Sequence, residues 1–379
     1  MDILIDKKYF TKAVSEVSKA IQSNPLEPIF SGIKLDVTTK RVTLLGVNGD
    51  LFIERFVSES IDGRKVVEIN ATGSIVVPAK AFHDILKKLP NPISIKTNQQ
   101  SILIESAEIS TTLHSYQSGD FPTPPTYHHD KVTTISNDDL SNAIKQTIFA
   151  TSNNESRPVL TGINMIFEEG QLTCVATNSQ RLAKSEKSIE GNGQGSFIVS
   201  GSSLNELVKL LDSDTGKVKV ITTDNFLIFK SGAVTVFSRL IAGNYPGVSG
   251  LIPRDFHTVL SIKTKQLLEG IERACLFTNE SKNNTVHLKL VEGTKLKISS
   301  NSTQTGKISE TQDLVSLEGE GELNLSFDGR FLLDALKTIK QEVVKMSFGG
   351  TMRPVLMEPT NDTSLVHLIS PVRTSGYSE

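Results

Sequence analysis

The sequence predicts an α+β protein: three tandem copies of one domain, each with two helices laid on antiparallel sheets. Three observations predict it: a phrase written twice at a fixed distance, two amphipathic helical patterns in every third of the chain, and short alternating apolar stretches between turn residues. The repeat carries most. "SNPLEPIFSGIKLDV" at residues 23–37 returns as "NNESRPVLTGINMIF" at 153–167, with Pro28 and Pro158, Gly32 and Gly162, Ile33 and Ile163, and Asn48 and Asn178 all 130 residues apart (158 − 28). "VTLLGVNGDLFIE" lies over "LTCVATNSQRLAK" in the same register, and a weaker third copy runs through residues 278–302, "TNESKNNTVHLKLVEGTKLKISSNS".

Each copy opens on a helical pattern. Phe10, Ala13, Val14, Val17 and Ile21 mark one apolar face in the first; Leu140, Ile144 and Ile148 follow the cap candidates Ser136 and Asn137 in the second; Leu268, Ile271 and Cys275 form the third set. A second helix is expected at 77–90, 199–212 and 327–339, where Asp84, Glu206 and Asp334 occupy one matched position and Ile85, Leu207 and Ala335 the next. Strands are expected in "ISIKTNQQSILIES", "VKVITTDNFLIFKS" and "VVKMSFGGTMRPVLME", bounded by turn residues in the manner of hairpins. "YQSGDFPTPP" (116–125) and "IAGNYPGVSG" (241–250) close the first two copies. The 379 residues divide into expected domains at 1–126, 127–253 and 254–379. Three like domains in a row suggest an arc able to close on a symmetry mate.

Composition narrows the function. With 37% hydrophobic and 22% charged residues the chain reads as globular, and the N-terminus lacks a signal-peptide layout. No apolar run reaches membrane length, so the expected location is the cytoplasm, with no membrane partner. Cys174 and Cys275 form no CxxC pair, which argues against a zinc site or a disulfide framework. A net charge of −2 argues against tight nucleic-acid binding over the whole surface, but not against a basic lining inside an acidic body. The absence of tryptophan and the five tyrosines do not supply stacking platforms for single strands. No nucleophile triad, phosphate loop or HExxH pattern appears, so neither an enzyme nor a cofactor is expected. His128-His129-Asp130 has the residue types of a metal or acid–base cluster, but it sits in the linker after the first repeat, where exposed side chains are the expected state.

"ESRPVLTGI", "ATNSQRLA", "AGNYPGVSGLIP", "FDGRFLLDAL" and "GTMRPVLMEP…LISPVRT" together resemble, in order and over the whole chain, the bacterial sliding clamps, the beta subunits of DNA polymerase III. The resemblance implies a head-to-tail homodimer: a ring with helices lining a hole for duplex DNA, tethering polymerase and other replication and repair proteins for processivity. It implies binding without regard to base sequence, loading by a clamp loader, and partners that dock short peptides. The implied peptide pocket comprises Arg157 and Leu160; Thr177, Gln180, Arg181 and Leu182; Pro246 and Leu251; Phe331, Met352 and Pro354; and Ser370, Pro371, Val372 and Arg373. Leu160, Leu182, Leu251, Met352 and Val372 would form the apolar floor, and Arg157, Arg181 and Arg373 would donate to peptide carbonyls or a carboxylate. DNA would face Lys12, Asn24, Lys80, Asn154, Arg330 and Lys337, and the dimer would set Thr111 and Leu113 against the partner's Leu276 and Phe277.

The helices carry this basic lining unevenly. The first has Lys7, Lys8, Lys12 and Lys19 against Asp6 and Glu16; the second Lys80, Lys87 and Lys88 against Asp84; the last Arg330, Lys337 and Lys340 against Asp328 and Asp334; the middle pair is not basic. Sequence departures from the family pattern (Thr177-Asn178-Ser179-Gln180-Arg181-Leu182 for a TDSHRL-like phrase, Gly250 and Asn24 where relatives carry arginine, and the "TSGYSE" ending) favour a divergent second clamp with altered partner affinity. The rival expectation is a clamp-like peptide-binding scaffold that does not encircle DNA.

Overall fold

The computed structural model describes residues 1–22, 25, 27–127, 132–211, 216–278, 284–302, 305–319 and 322–373. Six α-helices are present among them, two in each third: α1 (Lys7–Val17), α2 (Ala79–Lys88), α3 (Asn137–Lys145), α4 (Gly201–Leu211), α5 (Thr264–Cys275) and α6 (Gly329–Leu336). The apolar faces are close to those expected. Phe10, Ala13, Val14 and Val17 are buried on α1, and Phe10 meets Phe82 of α2 edge-on, with ring centroids 5.7 Å apart. Ile21 and Ile148 lie beyond the α-helices, beside or within short 3-10 turns. The third face is shifted by one residue: Leu267, Ile271 and Ala274 are buried, whereas Leu268 and Cys275 are only half-buried. Leu267 and Leu268 are adjacent apolar residues, so spacing alone did not choose between them.

The repeated phrase has a local physical cause. Pro28–Ser31 and Pro158–Thr161 are 3-10 turns entered at proline, each locked by a hydroxyl donating back to the proline carbonyl: Ser31 to Pro28 at 2.6 Å and Thr161 to Pro158 at 2.7 Å. Gly32 and Gly162 then start a strand, where an added Cβ would stand 2.5 Å from Val76 Cγ1 and 2.7 Å from the Val199 carbonyl oxygen. The asparagine pair makes matching turns. Asn48 Oδ1 accepts from the amides of Asp50 and Leu51, and Asn178 Oδ1 from those of Gln180 and Arg181.

The chain packs as two compact units, each of which holds strands from the middle third. Unit 1 comprises Met1–Asp138, Ile189–Gly193 and Ser202–Leu240. It holds a five-stranded antiparallel sheet ending at the edge strand Ile109–His114, and a nine-stranded sheet in which Val234–Arg239 pairs with Leu51–Ser58, Phe237 opposite Phe52. Unit 2 comprises Asp139–Ser188, Gln194–Gly201 and Ile241–Glu379. Its nine-stranded sheet is joined by Arg181–Ser188 against Leu365–Ile369, Leu182 opposite Leu368, and its four-stranded sheet ends at the edge strand Gly306–Asp313. The four-stranded sheet, α5 and α6 enclose one core with Leu260, Ile271, Ile298, Phe327 and Leu332. No described helix is long and apolar enough to cross a membrane.

Both thiols are withdrawn from chemistry. Burial pushes Cys174 up to about 12 and half-burial pushes Cys275 up to about 11. Native protein at pH 8 is therefore expected to resist iodoacetamide at both cysteines and to take two labels in urea; rapid native labelling of Cys174 would contradict this burial.

Candidate functional site

Unit 2 carries a second apolar cluster, separate from its core. Val175, Leu182, Leu356, Val366 and Leu368 form its floor, on which Tyr245, Val248, Ile252 and Phe256 pack. Four neighbouring strands supply the floor, and the segment after Ile241 crosses it. Tyr245 anchors that segment: its hydroxyl accepts from the Thr177 amide at 3.0 Å, and burial raises its pKa to about 12. Thr177 Oγ1 donates to the Arg181 carbonyl at 2.7 Å, closing the turn that presents Gln180. The Ser370 amide donates to the Gln180 carbonyl at 2.9 Å and the Val372 amide to the Ser326 carbonyl at 2.7 Å, so the C-terminal stretch is stitched across strands from the middle and last thirds.

The expected pocket residues divide by exposure. Leu160, Thr177 and Leu182 are buried, at 5%, 8% and 4% exposed. Leu251 at 54% and Met352 at 60% are large apolar side chains open to solvent. Arg157, Gln180, Pro246 and Arg373 are also exposed, and Phe331, Pro354, Ser370, Pro371 and Val372 are half-buried. Arg157 precedes the 3-10 turn, and its carbonyl accepts from the Leu160 amide at 3.0 Å.

Arg181 makes several contacts within the chain. Its guanidinium is already engaged: one Nη donates to Asp334 Oδ2 at 2.6 Å, the other to the Phe149 carbonyl, and the plane lies 4.3 Å from the Phe331 ring centroid and 5.2 Å from that of Phe149. With its side chain 11% exposed, it ties the middle-third segment around Phe149 to α6. Its planar fork suits two acceptors at once. Arg157 and Arg373 remain as the exposed cations of the group. Sequence reading missed Asp334, Phe149, Tyr245, Val366 and Leu368. Tyr245 had a signal, since "NYP" aligns with "DFP" in the closing phrases. Leu365–Ile369 had none, because every residue in it is buried and no two-residue alternation survives.

Several helix cations are also committed. Lys7 Nζ donates to the carbonyls of Lys87, at 2.9 Å, and Leu89, capping the end of α2. Lys12 lies 3.8 Å from Glu16 and Lys337 3.6 Å from Glu272. Lys80, Asn154 and Arg330 are exposed, as are Lys12 and Lys337. Asn24, His128, His129, Asp130 and the "TSGYSE" ending lie outside the described residues. Thr111 and Leu113 are half-buried on the edge strand of unit 1; in unit 2, Leu276 is 74% exposed after α5 and Phe277 is half-buried.

Three family descriptions match in chain order: DNA polymerase III beta subunit, N-terminal domain, over residues 1–125; central domain over 134–247; and C-terminal domain over 249–373. The chain is 38% identical over 378 residues to the beta sliding clamp of Bacillus subtilis, covering 99% of this chain and 100% of that protein. It is 35% identical over 377 residues to the beta sliding clamp of Staphylococcus aureus, with 99% and 100% covered. The crystal structure of the DNA polymerase sliding clamp from Bacillus subtilis superposes with a TM-score of 0.96 at 37% identity, covering 99% of this chain and 100% of that one.

Proposed function

The chain belongs to the DNA polymerase III beta subunit family, the beta sliding clamps, and we propose that two copies close head-to-tail into a ring around duplex DNA, in the cytoplasm, with partners docked on the apolar cluster of unit 2. A clamp acts by topology and tethering rather than by catalysis. The full-length match to sliding clamps favours this reading over a scaffold that never encircles DNA.

For partner docking, the carrying observation is that Leu251 and Met352 are open to solvent, Leu251 lying in the segment that packs on a floor including Leu182 and Leu368. Large exposed apolar side chains mark interaction sites, and methionine repacks to suit several partners. The exposed Arg157 and Arg373 favour a peptide with bulky apolar anchors and a carboxylate. The clamp loader is expected to use the same groove.

For the ring, two edge strands support the reading: Ile109–His114 in unit 1 and Gly306–Asp313 in unit 2. An edge offers unpaired backbone groups to another chain, and a head-to-tail dimer joins one of each. Exposed Leu276, just after the helix Thr264–Cys275, would supply an apolar contact. Leu276→Ala is expected to weaken the dimer about tenfold or more, as hot-spot truncation does, and sedimentation should show mass moving from twice 41.3 kDa toward 41.3 kDa. A wild-type chain that stays monomeric at micromolar concentration would end the ring proposal.

For DNA, the exposed lysines and Arg330 set against nearby acids provide a weak positive field. Tight phosphate neutralisation would oppose sliding. The deciding assay is polymerase processivity on primed circular DNA with a clamp loader. Product length should rise with this protein, and the protein should leave the template once the circle is cut. Unchanged product length, or equal retention on cut and closed DNA, defeats the reading.

A further inference from the structure

The internal repeat gives unit 1 a counterpart of the groove in unit 2, position for position. The Arg239 amide donates to the Asp50 carbonyl at 2.8 Å, as the Ser370 amide does to Gln180 at 2.9 Å. Phe52 stands opposite Phe237 as Leu182 stands opposite Leu368. Ile228 stands opposite Phe237 as Leu356 stands opposite Leu368, which makes Phe226 the counterpart of Pro354. The "DFP" and "NYP" phrases match Phe121 with Tyr245, and the same spacing matches Tyr127 with Leu251.

The chemistry at these positions differs in one direction. Leu182, Leu368, Pro354 and Leu251 of unit 2 become Phe52, Phe237, Phe226 and Tyr127 in unit 1. The four rings pack on one another. Phe52 lies 6.1 Å from Phe226 and 6.4 Å from Phe237, and Tyr127 lies 5.8 Å from Phe237, all edge-on. Phe52 and Phe237 are 7% and 2% exposed, and Tyr127 is half-buried where Leu251 is 54% exposed. Arg239 closes the rim, its guanidinium 5.4 Å from the Phe226 ring centroid and its Nε 3.5 Å from Asp50.

We propose that this is a second partner-peptide groove filled by the chain's own aromatic side chains, and that Tyr127 and Phe226 thereby limit each chain to a single docking site. The proposal rests on the unit 2 groove being the docking site. Edge-on aromatic contacts favour the filled state over an incoming leucine or phenylalanine, which would have to displace a tethered ring already in place. One site per chain has a functional consequence, because a dimeric ring would then hold two partners and not four.

The test counts bound peptides by native mass spectrometry and titration calorimetry. The probe is a synthetic peptide with leucine and phenylalanine anchors and one aspartate. Wild type should bind one per chain. Tyr127→Ala combined with Phe226→Ala should bind a second, and should still do so after Leu251→Asp and Met352→Asp have abolished the first. Tyr127→Leu with Phe226→Leu removes both rings but keeps apolar side chains over the sheet, which provides a variant that stays packed; it should also gain a site. A single peptide per chain in both folded variants, with unit 2 binding intact, overturns the filled-groove proposal. Wild-type binding that survives Leu251→Asp and Met352→Asp overturns the docking assignment instead.

Discussion

Arg181→Ala is expected to destabilise the protein by about 2–6 kcal/mol and to weaken peptide docking about tenfold. The ion pair with Asp334 is the smaller part. Asp334 is 40% exposed and regains water when its partner leaves, so its share is about 1 kcal/mol or less. The larger part is the Phe149 carbonyl, which loses its donor at about 1–3 kcal/mol. Losing the stacking on Phe149 and Phe331 adds about 0.5–1 kcal/mol each. Docking weakens because the turn that presents Gln180 and the C-terminal strand both abut Arg181. Urea unfolding and peptide titration of three variants check this. Arg181→Lys should recover little, since an ammonium cannot serve carboxylate and carbonyl in one plane. Asp334→Ala should be mild. Equal damage from Asp334→Ala, or wild-type stability in Arg181→Ala, would show that the guanidinium does not hold this joint.

Acidification should destabilise unit 2 through His367. Its ring is fully buried on the strand Leu365–Ile369, 5.4 Å from the Phe149 ring, and burial lowers its pKa from 6.5 to about 3. Thr338 Oγ1 donates to the Ala335 carbonyl at 2.8 Å, so the 2.9 Å contact between Thr338 and His367 Nε2 is one in which the imidazole donates. That tautomer leaves Nδ1 as a buried acceptor with no partner. The folded state therefore holds His367 neutral while the unfolded chain takes up a proton below 6.5. Stability is intact above pH 6.5, declines as the pH falls, and its His367 component is fully lost only below about 3. Between pH 6.5 and 4.5 the loss amounts to about 2–3 kcal/mol. Half-buried His287, lowered by burial, pulls in the same direction, whereas Glu54 and Asp328, raised by burial, pull the other way. Comparing wild type with His367→Gln removes these shared contributions. The variant should show a slope of stability against pH shallower by that amount, and parallel curves would remove His367 as the cause.

Much of the molecule was legible before any coordinates. Six helices lie in the stretches expected for them, three from three- and four-residue spacing and three from the matched second phrase of each copy, and the prolines, glycines and asparagines of the repeated phrase proved to be turn locks with matching hydrogen bonds. The pocket residues came from a whole-chain resemblance rather than from pattern, since Leu160 and Leu182 look like any core leucines. The lysines were visible as charges, but not as commitments: nothing local says that Lys7 reaches the far end of α2, 80 residues away.

The sequence by itself determined the threefold repeat, the α+β class and the family, because these depend on short-range periodicity and on residue identity along the chain. Only the tertiary structure decided that the middle third is shared between two sheets, that Arg181 is a strut, and that the rings of Phe52, Phe226, Phe237 and Tyr127 pack together. Those features arise from side chains far apart in sequence meeting across strand pairs, and such contacts have no signature in any local window.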